Sequence, residues 1–228
     1  MAASTRWSSG LPPDSVDRPA LPAHIAVEGP IGAGKTSLAR RLAEHLGARL
    51  VLEAADANPF LPRFYEDCAR HALPTQLFFL FQRVEQMREL LQRDLFGGHV
   101  VTDFMLDKDP LFARLTLSED EYRLYQKIYT SVAPQSAVPD LVIYLQAPVD
   151  VLMARVRARG VGYEQGIDRD YLARVSDAYA QYFYHYEACP LMIVNSEHLN
   201  FVDDASDLDL LIARLPHVRG REFLNRGE

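Results

Sequence analysis

A phosphate-binding loop at residues 29–36 carries the clearest chemistry in this sequence. Its letters, GPIGAGKT, fit the pattern G-x-x-x-x-G-K-[ST], and an apolar run over residues 24–28 precedes it. Glycines let successive backbone N–H groups turn toward one anion, while Lys35 adds a positive charge and Thr36 a hydroxyl suited to Mg²⁺. A helix predicted for residues 35–46 directs its positive end at the same phosphates. The motif predicts a nucleoside triphosphate bound by Gly29, Gly32, Ala33, Gly34, Lys35, Thr36 and Ser37.

Two acids and a row of arginines could act on the bound phosphates. Glu53 follows an apolar strand predicted at residues 48–52, and Asp103 follows another at residues 99–102. The carboxyl ends of parallel strands meet at one rim of a sheet, so both acids are expected near the loop. A carboxylate there can take a proton from an attacking hydroxyl, and Arg155, Arg157 and Arg159 can neutralise a phosphoryl group in transfer. The same parts would also serve an ATPase that activates water.

Strands and helices alternate along the chain and define its fold class. Apolar runs predict strands at residues 24–28, 48–52, 99–102, 141–145 and 191–194. Helical spacing predicts helices at residues 35–46, 75–96, 112–117, 118–129, 149–159, 168–186 and 204–215. Such alternation is typical of an α/β protein, here with a five-stranded parallel sheet and helices on both faces.

Composition limits the domain organisation and the possible partners. The Pro-, Ala- and Ser-rich residues 1–22 predict a disordered tail, residues 23–215 one domain, and residues 216–228 a loose end. A net charge of -7 argues against a general nucleic-acid binder. No apolar run approaches the roughly 20 residues of a membrane span. Two cysteines without metal-ligand spacing favour a reducing, cytoplasmic setting.

Several separate motifs resemble one enzyme family. From about residue 24 to residue 215 the chain is similar to the deoxyribonucleoside kinases, the group that includes deoxycytidine and deoxyguanosine kinases. The matching stretches are residues 29–37, 53, 58–61, 64–67, 74–76, 83, 103, 107–108, 112–113, 139–141, 155–167 and the segment around 201. The resemblance implies a P-loop kinase fold with an arginine-bearing lid. It is strongest to the bacterial deoxyadenosine/deoxyguanosine kinase branch, which favours purine deoxynucleosides.

The resemblance implies roles for the residues that hold the acceptor nucleoside. Glu53 would take the proton of the 5′-hydroxyl, and a buried amide at Gln76 would pair with the base edge. Tyr65 and Glu164 would hold the 3′-hydroxyl. Arg83 and Asp107 would read the far side of the base, and Phe112 would stack on it. Deoxyadenosine, deoxyguanosine and deoxycytidine all remain open as acceptors.

The resemblance also implies how the donor is held. ATP would be the phosphate donor, with Lys35 acting in catalysis beside Arg155 and Arg159 of the lid. Phe201 would lie in the loop that touches the adenine. Mg²⁺ would be held by Thr36 and by Asp103, directly or through water.

The sequence departs from the family pattern at three positions. Many relatives have an arginine directly after the acid at Asp103, where this chain has Phe104, and Lys108 is the nearest cation that could replace it. A second lid arginine is replaced by Val161, with Arg157 as the candidate substitute. His71 stands where relatives often have a bulky aromatic residue. The segment after Asp103 also differs in length from the eukaryotic pattern, so Asp109 is an alternative to Asp107.

Two other functions share the loop and the fold. A nucleoside monophosphate kinase such as thymidylate kinase would need extra cations for its acceptor phosphate, and Glu53 is badly placed for that purpose. A nucleotide-dependent switch or non-catalytic binding subunit would bind ATP without transferring its phosphate. The family resemblance further implies a homodimer, formed through helices such as that at residues 75–96.

Overall fold

The computed structural model describes residues 21–93, 98–133, 138–201 and 204–226. The predicted tail at residues 1–22 lies almost wholly outside them, although Leu21 packs against the core. The strands are β1 His24–Glu28, β2 Arg49–Val51, β3 Val100–Thr102, β4 Leu141–Gln146, β5 Leu191–Asn195 and β6 Arg221–Leu224. The α-helices are α1 Lys35–Leu46, α2 Leu61–Glu66, α3 Cys68–Arg93, α4 Asp109–Thr116, α5 Glu119–Val132, α6 Val149–Arg159, α7 Arg169–Tyr184 and α8 Ala205–Arg214.

The six described strands join one parallel sheet in the order β2-β3-β1-β4-β5-β6. The strand β1 therefore lies inside the sheet, with β3 on one side and β4 on the other. The strand order reverses at β1, and ligands bind at such a point, outside the carboxyl ends of the strands. The phosphate-binding loop begins there.

Alternate residues of the inner strands enter two different cores. Ile25 and Val27 of β1 pack with side chains of α1, α6 and α8, whereas Ala26 faces the opposite side. That opposite side is filled by aromatic residues of α7, including Tyr179 and Phe183. Burial on both faces explains why these strands read as continuous apolar runs and confirms the predicted layers.

Helix α3 begins earlier than the sequence predicts. Periodicity was expected from residue 75, yet the helix starts at Cys68 and includes Pro74. Proline removes one helical hydrogen bond. Near Pro74, however, buried Ala72 of α3 packs against Leu61 and Phe64 of α2. Tertiary packing thus outweighs the local cost. The predicted end at residue 96 lies outside the described residues.

Two further expectations about the fold are wrong. Within the described residues the sheet has six strands rather than five, and residues 216–226 are not loose. β6 pairs with β5 in parallel, and Val218 and Leu224 are buried in the core. An edge strand needs only one buried face and can therefore carry charged residues such as Arg221 and Glu222. Those charges made the segment resemble a loose tail in the sequence.

Other elements agree with the sequence. Helices α1 and α6 have the predicted bounds, and Ser118 and Glu121 form the predicted capping box at the start of α5. Among the described residues, no helix is both long enough and apolar enough to span a lipid bilayer.

Candidate active site

The phosphate-binding loop joins β1 to α1 and has the backbone that its glycines permit. Gly32 has a φ of 83°, and a Cβ there would lie 2.6 Å from the carbonyl oxygen of Leu152. Gly34 has a φ of 98° and caps the N-terminus of α1. Side chains with a Cβ rarely adopt these angles, so both positions need glycine. The loop consequently presents N–H groups and the positive end of a helix to one point.

Lys35 is folded back on the loop. Its Nζ donates to the carbonyl oxygens of Gly29 at 2.8 Å and Pro30 at 3.1 Å. Burial, together with the nearby charge of Lys108, lowers the pKa of Lys35 to about 8, although Glu28, Glu53 and Asp103 oppose the shift. An anion bound in the loop would restore a full countercharge to this lysine.

Glu53 follows β2 and lies between two cations. Arg83 of α3 donates to its Oε1 through Nε at 2.7 Å, and Lys108 Nζ lies 3.7 Å from Oε2. Burial would raise the pKa of Glu53, but Arg83, Lys108 and Lys35 outweigh it and lower the pKa to about 2. The carboxylate is therefore ionised throughout the physiological range and can accept a hydrogen bond from a hydroxyl.

Asp103 connects the loop to Glu53. Its Oδ2 accepts from Thr36 Oγ1 at 2.5 Å, and its Oδ1 accepts from the Glu53 backbone N–H at 2.7 Å. The side chain is buried at the carboxyl end of β3. A hydroxyl and a carboxylate at this distance are hard oxygen donors of the kind that Mg²⁺ accepts beside phosphate oxygens. The predicted metal residues are thus together and fit the ion.

A buried carboxylate that the sequence analysis missed lies beneath the loop. Glu28, the last residue of β1, is completely buried and accepts hydrogen bonds from the backbone N–H of Met105 at 2.6 Å and of Gly29 at 3.3 Å. Tyr179 OH donates to it at 3.1 Å, and Lys108 Nζ lies 3.4 Å away. An acid at the end of an otherwise apolar buried strand was the available signal, because buried charges need partners.

A cavity of about 150 Å³ extends from the loop to α3 and α4. Most of the predicted acceptor and catalytic residues line it: Lys35, Thr36, Glu53, Tyr65, Gln76, Arg83, Asp103, Phe112, Arg159 and Glu164. Gln76 donates from Nε2 to Thr116 Oγ1 at 3.3 Å, and Phe112 packs edge-on against Tyr179. We call this the acceptor cavity.

The two residues predicted to meet the 3′-hydroxyl lie on neighbouring segments. Tyr65 of α2 contacts Gly166, which closes the short 3₁₀ helix Gly162–Gly166 containing Glu164. Burial, with Tyr171 and Glu164 nearby, raises the pKa of Tyr65, so its phenol remains a hydrogen-bond donor. Glu164 is bound by Arg159, the last residue of α6, at distances of 2.5 to 3.0 Å.

A second, more open cavity of about 550 Å³ lies on the other side of the loop. The loop residues Gly32, Ala33, Gly34 and Ser37 line it, together with Arg155, Arg159 and the segment of residues 196–201 that ends at Phe201. Arg155 donates to the Ser196 carbonyl oxygen at 2.6 Å, which fixes it to the end of β5. We call this the donor cavity. Gly32 and Arg159 line both cavities, so the two meet at the loop and the lid.

Three predicted assignments need correction or choice. Neither Asp107 nor Asp109 is among the described residues that line the acceptor cavity, but Asp109 is buried and forms an ion pair with the lining residue Arg83. Pro110 follows Asp109, and α4 begins at Asp109 itself, so the first turn of that helix directs the acid at α3. Arg157 is exposed and is not among the described lining residues of either cavity, while Lys108 is buried beside Glu53. Gly29 contributes its carbonyl to Lys35 rather than lining a cavity among the described residues.

Comparisons with known proteins identify the family of the chain. A profile of the deoxynucleoside kinase family matches residues 25–218. The chain is 32% identical over 199 residues to a deoxyguanosine kinase of Bacillus subtilis strain 168, covering 85% of this chain and 96% of the relative. It is 32% identical over 192 residues to a deoxyadenosine kinase of Lactobacillus acidophilus, covering 78% and 87%.

A solved structure shares the fold. Deoxyadenosine kinase from M. mycoides, with products dCMP and a flexible dCDP bound, superposes with a TM-score of 0.76 at 23% identity. The match covers 86% of this chain and all of that one. The profile, the relatives and the two cavities that meet at a phosphate-binding loop lead to one conclusion: the chain belongs to the deoxynucleoside kinase family.

Proposed function

We propose that the protein transfers the γ-phosphoryl group of ATP to the 5′-hydroxyl of a purine deoxynucleoside, as a step of nucleotide salvage; deoxycytidine is the alternative acceptor. The observation that carries the proposal is Glu53, an ionised carboxylate between two cations where the acceptor cavity meets the phosphate-binding loop. Relatives at 32% identity are named for deoxyguanosine and deoxyadenosine, which supports a purine acceptor.

The transfer step follows from the position of Glu53. The nucleoside 5′-oxygen attacks the γ-phosphorus, the bond from that phosphorus to the bridging oxygen breaks, and its electron pair leaves with ADP. The hydroxyl proton passes to Glu53. A carboxylate with a pKa of about 2 is a weak base, so it first orients the hydroxyl and takes the proton once the forming bond has made it acidic.

Cations around the loop stabilise the charge in transfer. Lys35 is close enough to exchange its two carbonyl partners for phosphate oxygens. Arg159 approaches the same point from the lid. Lys108 supplies the charge that Phe104 lacks, because it is buried between Glu53 and Glu28. Phe104 itself packs in an apolar cluster with α3 and α5.

Mg²⁺ completes the donor site in this proposal. Thr36 and Asp103 would hold it, and among the described residues no group of three or more acidic, His or Cys side chains forms a metal cage. That sparse set is usual for Mg²⁺, which keeps several waters and phosphate oxygens as ligands. When bound, the ion neutralises charge that develops on the phosphate oxygens.

Side chains of the acceptor cavity would select the nucleoside. Gln76 keeps its amide oxygen available while Nε2 donates to Thr116, and Phe112 offers a ring face for stacking. Arg83 lines the cavity, and buried Asp109 pairs with it. Tyr65 and Glu164 would hold the 3′-hydroxyl.

The test is an acceptor panel. ATP with each of the four deoxynucleosides, and in parallel with the four deoxynucleoside monophosphates, should give product with a purine deoxynucleoside and none with a monophosphate. Transfer to a monophosphate would favour the thymidylate-kinase type of reaction. ATP binding without transfer to any acceptor would favour the switch, and Glu53→Gln would then leave function intact.

We further propose a homodimer that uses α3. Phe81 on this helix is 51% exposed and Leu91 38% exposed, and a second copy of the chain packed along α3 would cover both side chains. Sedimentation analysis should give twice the chain mass, and Phe81→Glu should shift the protein toward the monomer. An unchanged mass in the variant would exclude this face.

The cytoplasmic setting remains a prediction.

A further inference from the structure

The ion pair between Arg159 and Glu164 joins the two halves of the site. Arg159 Nε donates to Oε2 at 3.0 Å, and its Nη2 donates to Oε1 at 2.5 Å and to Oε2 at 2.6 Å. One guanidinium thus engages both carboxylate oxygens. The Glu164 side chain is 10% exposed and that of Arg159 48%, so the acid is the fixed partner and the arginine the accessible one.

Local structure explains why Glu164 is fixed. Its N–H donates to the Val161 carbonyl oxygen at 3.1 Å within the 3₁₀ helix Gly162–Gly166. Gly166 contacts the backbone and Cβ of Tyr65, with an added Cβ placed 3.3 Å from that atom, so the segment packs closely on α2. Gly160, with a φ of 69°, separates α6 from this segment and lets the chain turn back. The carboxylate therefore faces the last residue of the helix that precedes it.

The two side chains line different cavities. Glu164 lines the acceptor cavity, whereas Arg159 lines both the acceptor and the donor cavity. A carboxylate has about four acceptor positions, so the arginine fork leaves room for one hydroxyl hydrogen bond. The same group can consequently bind a sugar hydroxyl and orient a guanidinium.

We propose that Glu164 is the positioning residue for Arg159, so that the carboxylate that binds the 3′-hydroxyl also directs the lid arginine to the phosphoryl group. The inference rests on the proposed function. Recognition of the sugar and stabilisation of the transferring charge then share one ion pair. A bidentate pair restricts the arginine to one orientation, which favours catalysis because less ordering remains to be done in the transition state.

The test separates the two roles by removing the 3′-hydroxyl from the substrate. Glu164→Gln and the wild type are compared with 2′-deoxyadenosine and with 2′,3′-dideoxyadenosine, and KM and kcat are measured separately. With deoxyadenosine, the variant should show about a tenfold rise in KM and about a tenfold fall in kcat, as expected for lost hydrogen bonds to a charged group. With the dideoxy substrate, the KM difference should vanish and the fall in kcat should remain.

Two results would overturn the proposal. Equal kcat values of variant and wild type on the dideoxy substrate would mean that Glu164 only binds the hydroxyl. A higher kcat in the variant would mean that the pair holds Arg159 away from the phosphates. If the wild type phosphorylates no deoxynucleoside at all, the proposed function fails instead, so the two failures are distinguishable.

A double-mutant cycle and a matched control complete the experiment. Arg159→Gln should lower kcat, and Glu164→Gln added to it should lower kcat no further; a multiplied loss would contradict the proposal. Asp150→Asn breaks another Arg–carboxylate pair, formed with Arg169 at 2.9 Å on the exposed surface, and should change neither parameter. Thermal melting of each variant confirms that the protein is folded.

Discussion

The acceptor and donor cavities use opposite ways of holding a ligand. The acceptor cavity is small, about 150 Å³, and several of its polar side chains, among them Arg83, Asp103 and Glu164, are buried and already bound to other side chains. The donor cavity is larger, about 550 Å³, and the loop backbone and an outer segment form most of its wall. Backbone N–H groups recognise any triphosphate, whereas a set of fixed side chains discriminates between nucleosides. We therefore expect single substitutions to be severe in the acceptor cavity and mild in the outer part of the donor cavity.

The largest effect is expected at Glu53. Glu53→Gln should lower kcat about 1,000-fold, within the usual contribution of a general base, because the amide cannot take the proton. ATP affinity, measured by calorimetry, should change little. Glu85→Gln, on the exposed face of α3, is the matched control and should be neutral. A kcat within threefold of the wild type would remove Glu53 from the mechanism.

Lys108 should be the next most sensitive residue. Lys108 Nζ lies 3.4 Å from Glu28 Oε1 and 3.7 Å from Glu53 Oε2, and Lys108→Ala removes this cation from both acids. We expect about a 100-fold fall in kcat together with about 3 kcal/mol lower unfolding free energy, as for other broken buried pairs. Lys127→Ala in α5, an exposed lysine, controls for the loss of charge. If Lys108→Ala kept near-normal turnover while Arg155→Ala did not, the lid and not Lys108 would supply the positive charge that relatives have at the position of Phe104.

The pH dependence of ATP binding should be set by Lys35 and not by Glu53, although both line the acceptor cavity. Lys35, with a pKa of about 8 and with Lys108, Glu28, Glu53 and Asp103 around it, loses its proton above that pH in the free protein. ATP affinity should fall above about pH 8, by up to about tenfold per pH unit, and be flat below it. Glu53, with a pKa of about 2, should add no acid limb between pH 5 and 8. An ATP affinity that stays constant to pH 9.5 would contradict the lowered pKa of Lys35.

These two groups also affect stability with opposite signs. The pKa of Glu53 falls from 4.5 to about 2 on folding, so its contribution is complete above pH 4.5 and is lost as the pH falls toward 2. The pKa of Lys35 falls from 10.5 to about 8, so its charge opposes folding below pH 8 and this cost is relieved as the pH rises to 10.5.

The smallest effect is expected at Phe201, a buried residue that lines the donor cavity. Phe201→Leu should weaken ATP binding only about threefold, since one apolar contact is exchanged for another of similar size. KM for the deoxynucleoside should stay unchanged. A loss of 100-fold in ATP affinity would show that the donor cavity is as selective as the acceptor cavity.

The phosphate-binding loop was predictable because its function depends on backbone conformation that four fixed positions specify. Inner strands were predictable for a similar reason, since burial on both faces leaves uninterrupted apolar runs. β6 was not, because an edge strand such as Arg221–Leu224 buries only alternate residues. The start of α3 was predicted too late because Pro74 is a local helix breaker. Packing of α3 on α2 overrides that local preference.

In the acceptor cavity, residue types were predictable but partners were not. Arg83 and an acid after β3 were expected together, and only the start of α4 decides that the acid is Asp109. Glu28 received no role from the sequence, although its four donors come from the loop, the segment after β3 and α7. Contacts between segments 77 and 151 residues apart cannot be read from local spacing.

The position of β6 affects how the chain completes its fold during synthesis. β6 is the last strand in chain order, and it covers the edge of β5, whose residues Leu191, Met192 and Val194 are buried. Arg221 also donates to the carbonyl oxygens of Phe183, Tyr184 and Tyr186 at the end of α7. Until Arg221–Leu224 leaves the ribosome, an apolar strand edge is open to pairing with other chains. Shortening the protein before this strand would make that exposure permanent and favour aggregation.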